Sequence, residues 1–158
     1  MVGDRLAASI WFGLCVLLLG SCAPQPTATS QTQIAAVGPD MARVWFFRQA
    51  DPPGGNVYAS DPIVYANGAS VAGLAQGTAF FHDFQPGKYR FTVQPFGTPT
   101  NQHDTLQLAP GTQNYVQVQW EPNWEAGHTG GGSSFTVQTS SPEVGQQYVP
   151  TLTNLGQR

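Results

Sequence analysis

Trp124, Glu125 and His128 stand close together in the stretch from Glu121 to Ser133, EPNWEAGHTGGGS, which joins two predicted strands and is longer than a hairpin needs. An indole face stacks on a sugar or a peptide, and a carboxylate with an imidazole can hydrogen-bond the rim of such a ligand. Long loops on rigid scaffolds often carry function, so these three residues are the candidate ligand or partner contacts. The same stretch also fits a plain connector whose Trp folds over the end of the domain. His82-Asp83 and His103-Asp104 pair an imidazole with a carboxylate, which is metal-ligand and proton-transfer chemistry. Adjacent residues of a strand point to opposite faces, however, so His82 and Asp83 cannot converge on one atom without a bulge. His103-Asp104 reads as a turn. A site gathering His103, Asp104 and His128 at one end of the domain is the remaining metal arrangement, against a default of solvated histidines, and no metal is expected. The chain has no Gly-x-Ser-x-Gly and no His-Glu-x-x-His. Gly87-Lys88 is no phosphate loop, because His82 stands where that loop needs its first glycine, and Gly130-Gly131-Gly132 lacks dinucleotide spacing. No catalytic residue and no cofactor are implied, so the expectation is a protein that is not an enzyme. The competing class is a glycan- or peptidoglycan-processing enzyme built on the loop carboxylates Glu121 and Glu125.

The amino terminus carries a different chemistry. Arg5 precedes an almost uninterrupted apolar stretch, Leu6 to Gly20, ending in small residues, and it reads as an export signal too short for a spanning helix. Leu19-Gly20-Ser21-Cys22 resembles the lipobox of bacterial lipoproteins. That resemblance implies diacylglyceryl modification of the Cys22 thiol, cleavage just before it, and acylation of the new amine, with palmitate among the chains. Cys15 leaves with the signal, so Cys22 has no intramolecular partner and there is no disulfide framework. Two or three acyl chains, at about 0.8 kcal/mol per buried methylene, make a permanent membrane anchor. Ala23 stands where an Asp would favour the inner membrane, which points to an outer-membrane address facing the periplasm.

Charge excludes other partners. The 158 residues include only 9% charged ones, with a net charge of −3. Removing residues 1–21 takes one acid and one base and leaves that balance unchanged. There is no basic footprint for nucleic acid, so the expected partners are the membrane, through the lipid, and an envelope protein or cell-wall glycan.

The elements that must position these residues are short and β-rich. Residues 22–40 comprise Cys22 and a Pro-, Ala-, Thr-, Gln- and Ser-rich stretch that reads as a flexible tether, with a reach of roughly 25 Å. From Met41, runs rich in β-branched and aromatic residues alternate with Gly, Pro, Asn and Asp clusters. Arg43-Val44-Trp45-Phe46-Phe47-Arg48 is apolar on both parities, as suits a strand covered on both faces. Asn67-Gly68 between two apolar runs predicts a two-residue hairpin. Tyr89, Phe91 and Val93, then Leu106 and Leu108, then Val116, Val118 and Trp120, then Phe135 and Val137, alternate with polar residues, which gives each strand one core face. Gln117, Gln119, Thr136 and Gln138 form an almost uncharged outward face, and an edge there lacks the lysines that discourage strand addition. Those residues equally fit a face that meets water or a neighbouring strand. Ser140-Ser141-Pro142-Glu143 predicts a short helix, capped by Ser140 with Glu143 at capping-box spacing, and Pro150 ends it before a frayed tail over 150–158. The expected fold is all-β: a small antiparallel β-sandwich over 41–149 with a short C-terminal helix.

Four stretches carry a family resemblance: Ala42-Arg43-Val44-Trp45-Phe46-Phe47-Arg48, Pro62-Ile63-Val64-Tyr65-Ala66-Asn67-Gly68, Phe84-Gln85-Pro86-Gly87-Lys88-Tyr89 and Gly111-Thr112-Gln113-Asn114-Tyr115-Val116. Together they resemble a bacterial lipoprotein family known only as a domain of unknown function. The Pro-Gly-x-Tyr element is also similar to prealbumin-like sandwiches, including carboxypeptidase regulatory domains. The resemblance implies a prealbumin-like sandwich on a lipid anchor, a binding or scaffolding module displayed from the membrane, and it transfers no catalytic residue. The Gly-rich insertion around His128 departs from the family pattern.

Overall fold

A computed structural model describes residues 34–50, 61–94, 103–121 and 134–158. The chain is an all-β sandwich of two sheets with one short helix near its C-terminus. The strands are β1 Ala42–Arg48, β2 Ile63–Ala66, β3 Ala69–Gly73, β4 Thr78–Phe84, β5 Gly87–Val93, β6 His103–Leu108, β7 Gln113–Glu121, β8 Ser134–Ser140 and β9 Thr153–Gln157. Helix α1, Pro142–Tyr148, runs into a 3-10 turn, Val149–Thr151. One sheet has the order β8-β7-β1-β4-β9 and the other β3-β2-β5-β6. The antiparallel pairing expected from the hairpin signals holds throughout the second sheet and for β1–β4 and β7–β8. The pairings β1–β7 and β4–β9 are parallel.

Every residue of β1 is buried, because this central strand serves two cores. Val44 and Phe46 face the second sheet, with Phe80, Phe84, Phe91, Val116 and Phe135 around them. Trp45 and Phe47 face outward into a second cluster with Ala79, Phe81 and Tyr115, which Val149 and Tyr148 cover. The run that is apolar on both parities is thus explained by a sheet that packs on its partner below and on the helical segment above. Asn67 and Gly68 have positive φ, 49° and 85°, as a type I′ hairpin turn requires, and they join β2 to β3 as the sequence predicts.

The helical segment departs from the sequence reading in two ways. Ser140 ends β8, and the cap is Ser141, whose side chain accepts from the Val144 N–H. Pro142 has no N–H to donate and so occupies the first helical position, which moves the cap to the residue before it. Residues 153–157, expected to be frayed, form β9 at the edge of the first sheet. Thr153 N–H donates to Gly77 O at 3.0 Å, Arg158 N–H donates to Phe81 O at 3.0 Å, and Leu155 packs on the main core. Backbone pairing and one anchoring leucine hold a strand whose own sequence has no alternation.

Gly145 shows why the helix can lie so close. A Cβ at this position would stand 2.1 Å from Tyr115 Cγ, so α1 approaches the outer face of β7 through its glycine. Gly145→Ala is therefore expected to destabilise the domain, by about 1–3 kcal/mol, although alanine is the better helix former. Urea denaturation of the variant would check this, and unchanged or raised stability would show that α1 shifts freely.

Candidate functional site

Cys22, Trp124, Glu125 and His128 lie outside the described residues. Glu121 ends β7, opposite Ser134 at the start of β8, so the backbone entering and leaving residues 122–133 is placed. Register shows which end of the sandwich this is. Arg48 at the end of β1 pairs with Thr78, and Phe47 lies beside Gln117 in parallel with β7, so β7 runs out at the same end as β1. In the second sheet Ile63 pairs with Gly73, Val64 with Val93 and Thr92 with His103. The strand ends that bound residues 49–62, 94–102 and 122–133 therefore all lie at one end.

The opposite end has tight links, Asn67-Gly68 between β2 and β3, Gln85-Pro86 between β4 and β5, and residues 109–112 between β6 and β7, and from it the segment 141–152 with α1 crosses from β8 to β9. Gln85-Pro86 and residues 109–112 carry the chain from one sheet to the other. Gly111 supplies a φ of 72° in its turn, and its N–H donates to Met41 O at 2.8 Å. The chain also enters the fold at this end. Arg43 donates through Nε and Nη2 to both carboxylate oxygens of Asp83, at 2.7 and 2.8 Å, and through Nη1 to Ala35 O at 2.6 Å. Its guanidinium lies 3.9 Å from the centre of the Phe81 ring. Ala35, ahead of Met41, is thereby tied to β1.

Each ionisable pair singled out in the sequence has a specific place. His82 and Asp83 do face opposite ways: Asp83 binds Arg43 on the outer face, while the His82 ring packs against Phe84 and its Nδ1 meets Arg158 O. His103 and Asp104 are not in a turn, because they begin β6, opposite Thr92 and Phe91. Pairing with β5 extends this strand at its start beyond what its short apolar pattern signals. Among the described residues no three His, Cys, Asp or Glu side chains come together as metal ligands.

Asp104 does something the sequence did not signal. Its Oδ1 accepts the N–H of Thr105 on its own strand at 2.7 Å, and its Oδ2 accepts the N–H of Thr139 on β8 at 2.6 Å. One carboxylate thus joins the edge of each sheet along one side of the sandwich. Partial burial, the largest single influence, pushes the Asp104 carboxyl up, but the hydrogen bonds from Thr139 and Thr105 together with the His103 charge outweigh it and hold the carboxyl below the ordinary range. A depressed folded-state pKa contributes stability above the unfolded value that is lost as pH falls through the folded one. Wild type is therefore expected to melt higher than Asp104→Asn at neutral pH, with the two curves converging in acid. Thermal melts from pH 7 down to 2 would check this, and a constant gap would assign the effect to the geometry of the amide instead.

The uncharged face of β7 and β8 is only partly outward. Gln119 is half-buried and Gln138 exposed, whereas Gln117 and Thr136 are 6% and 7% exposed. Gln117 shares its face with Tyr115, where α1 packs, so what alternation marks as outward is here largely a second interior. Gln138 Nε2 donates to Gln117 Oε1 at 3.3 Å and to Gln119 Oε1 at 3.4 Å, a ladder of amides across the strand pair. No lysine stands on the edge of β8, and Asp104 of the neighbouring sheet accepts its Thr139 N–H.

At the end with the long connections the interior has a polar component. Arg48, 1% exposed, lies with its guanidinium 4.6 Å from the centre of the Phe135 ring. Trp120 is registered opposite Phe135, and its buried indole N–H has no hydrogen-bond partner among the described residues. No family model matches the chain, and no curated protein matches it either.

Proposed function

We propose that this chain is a lipid-anchored envelope protein, held at the membrane through Cys22 and working as a binding or scaffolding module that faces the periplasm, most favourably from the outer membrane. The observation that carries this reading is the polarity of the sandwich. The chain enters at the end of tight turns, where Arg43 holds Ala35, and the strand ends bounding the three long connections lie at the other end. On this reading Cys22 precedes the entry point in the chain, and anchoring raises the effective concentration of the module for a partner in the same compartment. The domain is of the prealbumin-like lipoprotein kind that its four sequence stretches resemble. Trp124, Glu125 and His128, between β7 and β8, are the proposed contacts with an envelope protein or a cell-wall glycan.

Photo-crosslinking in living cells tests this, with a photoreactive side chain at position 124 and a control at the exposed position 138, in wild type and in Cys22→Ser. A discrete adduct from 124 that weakens when Cys22→Ser leaves the membrane fraction is the expected result. Adducts from 138 alone would move the function to the sheet face. A Cys22→Ser chain that stays in the membrane would remove the lipid anchor from the reading.

A further inference from the structure

Asp104 lies on the edge strand of the second sheet, and the two backbone donors it binds belong to different sheets. Because the N–H of Thr139 goes to Asp104, it is turned away from β7. The same holds for Val137, two residues back, by the alternation of an antiparallel ladder. The N–H of Thr105 is likewise turned away from β5. These are the groups through which an edge strand recruits another strand. We infer that Asp104 is an edge guard: it shuts the side of the sandwich where β6 and β8 meet, and without it that side becomes a strand-pairing surface for a second copy of this chain.

The chemistry of β8 names the occupant. Ser134–Ser140, SFTVQTS, contains no charged residue, so two copies running antiparallel bring no like charges opposite each other. Its exposed outer amide, Gln138, both donates and accepts, so it is self-complementary across such a pair. A carboxylate at Thr139 blocks this twice. It occupies the donor that the incoming strand needs, and its charge repels the carbonyl oxygens that strand would bring. The guard acts across the physiological range, since its hydrogen bonds keep the carboxyl ionised well into acid. This inference is independent of the lipid anchor and of the far-end contacts.

The test is the protein mass of the full chain in detergent, measured by size-exclusion chromatography with light scattering, with circular dichroism to confirm the fold. Asp104→Ala is expected to double the protein mass relative to wild type in a concentration-dependent way. The double variant Asp104→Ala/Thr139→Pro is expected to return to the wild-type mass. Proline at 139 sacrifices no ladder hydrogen bond, because that N–H points off the sheet, yet it blocks an incoming strand. If Asp104→Ala does not fold, Asp104→Leu, which likewise offers no acceptor to the Thr139 N–H, is judged by the same criterion. A wild-type mass for the folded Asp104 variant, or a doubled mass that survives Thr139→Pro, would overturn the inference.

Discussion

Asp83→Ala is expected to destabilise the domain by about 3 kcal/mol, toward the lower end of the cost of breaking a buried ion pair, because Asp83 keeps 16% of its side-chain surface in water. The Arg43 side chain is only 4% exposed and loses two of its three hydrogen bonds in this variant, keeping the one to Ala35 O. A guanidinium left this way has a face on the Phe81 ring but no counter-charge. Removing both partners is expected to cost far less: Arg43→Met with Asp83→Leu should come within about 1 kcal/mol of wild type, since apolar replacement of a buried pair is often near neutral. Denaturant titration of the single and double variants reads the difference directly. The single variant should also release the segment before Met41, seen as faster hydrogen exchange at Gly111, whose N–H binds Met41 O. A cost below 1 kcal/mol for Asp83→Ala would mean that water screens the pair and that the entry segment is held by other contacts.

Phe46→Ala should cost about 3–5 kcal/mol. This side chain is fully buried at the point where the two sheets meet. Its ring lies 5.1 Å from Phe80 on its own sheet and 5.4 Å from Phe91 on the other, with Phe84 at 6.4 Å. Truncation removes the contact between sheets and leaves a cavity that three other rings cannot fill without leaving their rotamers. Against a typical domain stability of 5–15 kcal/mol the variant would be marginal, and its melting temperature should fall accordingly. Phe46→Leu should cost under about 1.5 kcal/mol, because it keeps most of the volume. If both variants lose the same small amount, the inter-sheet core repacks and Phe46 is not its centre.

Local chemistry was readable in the sequence wherever a few adjacent residues decide the outcome. Asn67-Gly68 dictates its hairpin because both residues tolerate positive φ, and the strand faces follow from a two-residue alternation that needs no knowledge of partners. The all-β class, the double-sided burial of β1 and a short helix opening at a Ser-Pro step were legible in the same way. The helix cap slid by one residue, from Ser140 to Ser141, since two serines in a row offer the same hydroxyl and only the end of β8 chooses between them.

Which strands are neighbours is a different kind of information, and it belongs to the tertiary structure. Residues 153–157 carry one apolar side chain and read as a tail, yet β4 offers them a free row of backbone groups and they become a strand. Gln117 and Thr136 alternate outward but are buried, because the face that alternation marks as outer is covered in part by α1. Asp104 sits 35 positions from Thr139 in the chain, and the hydrogen bond between them exists only because two sheets place β6 beside β8. The sequence by itself determined the class of fold and the alternation of faces, both of which rest on interactions between residues close along the chain. The tertiary structure alone decided the strand order, the guarded side, the entry clasp at Arg43 and the gathering of the long connections at one end, because each depends on pairing and packing between segments that local periodicity cannot register.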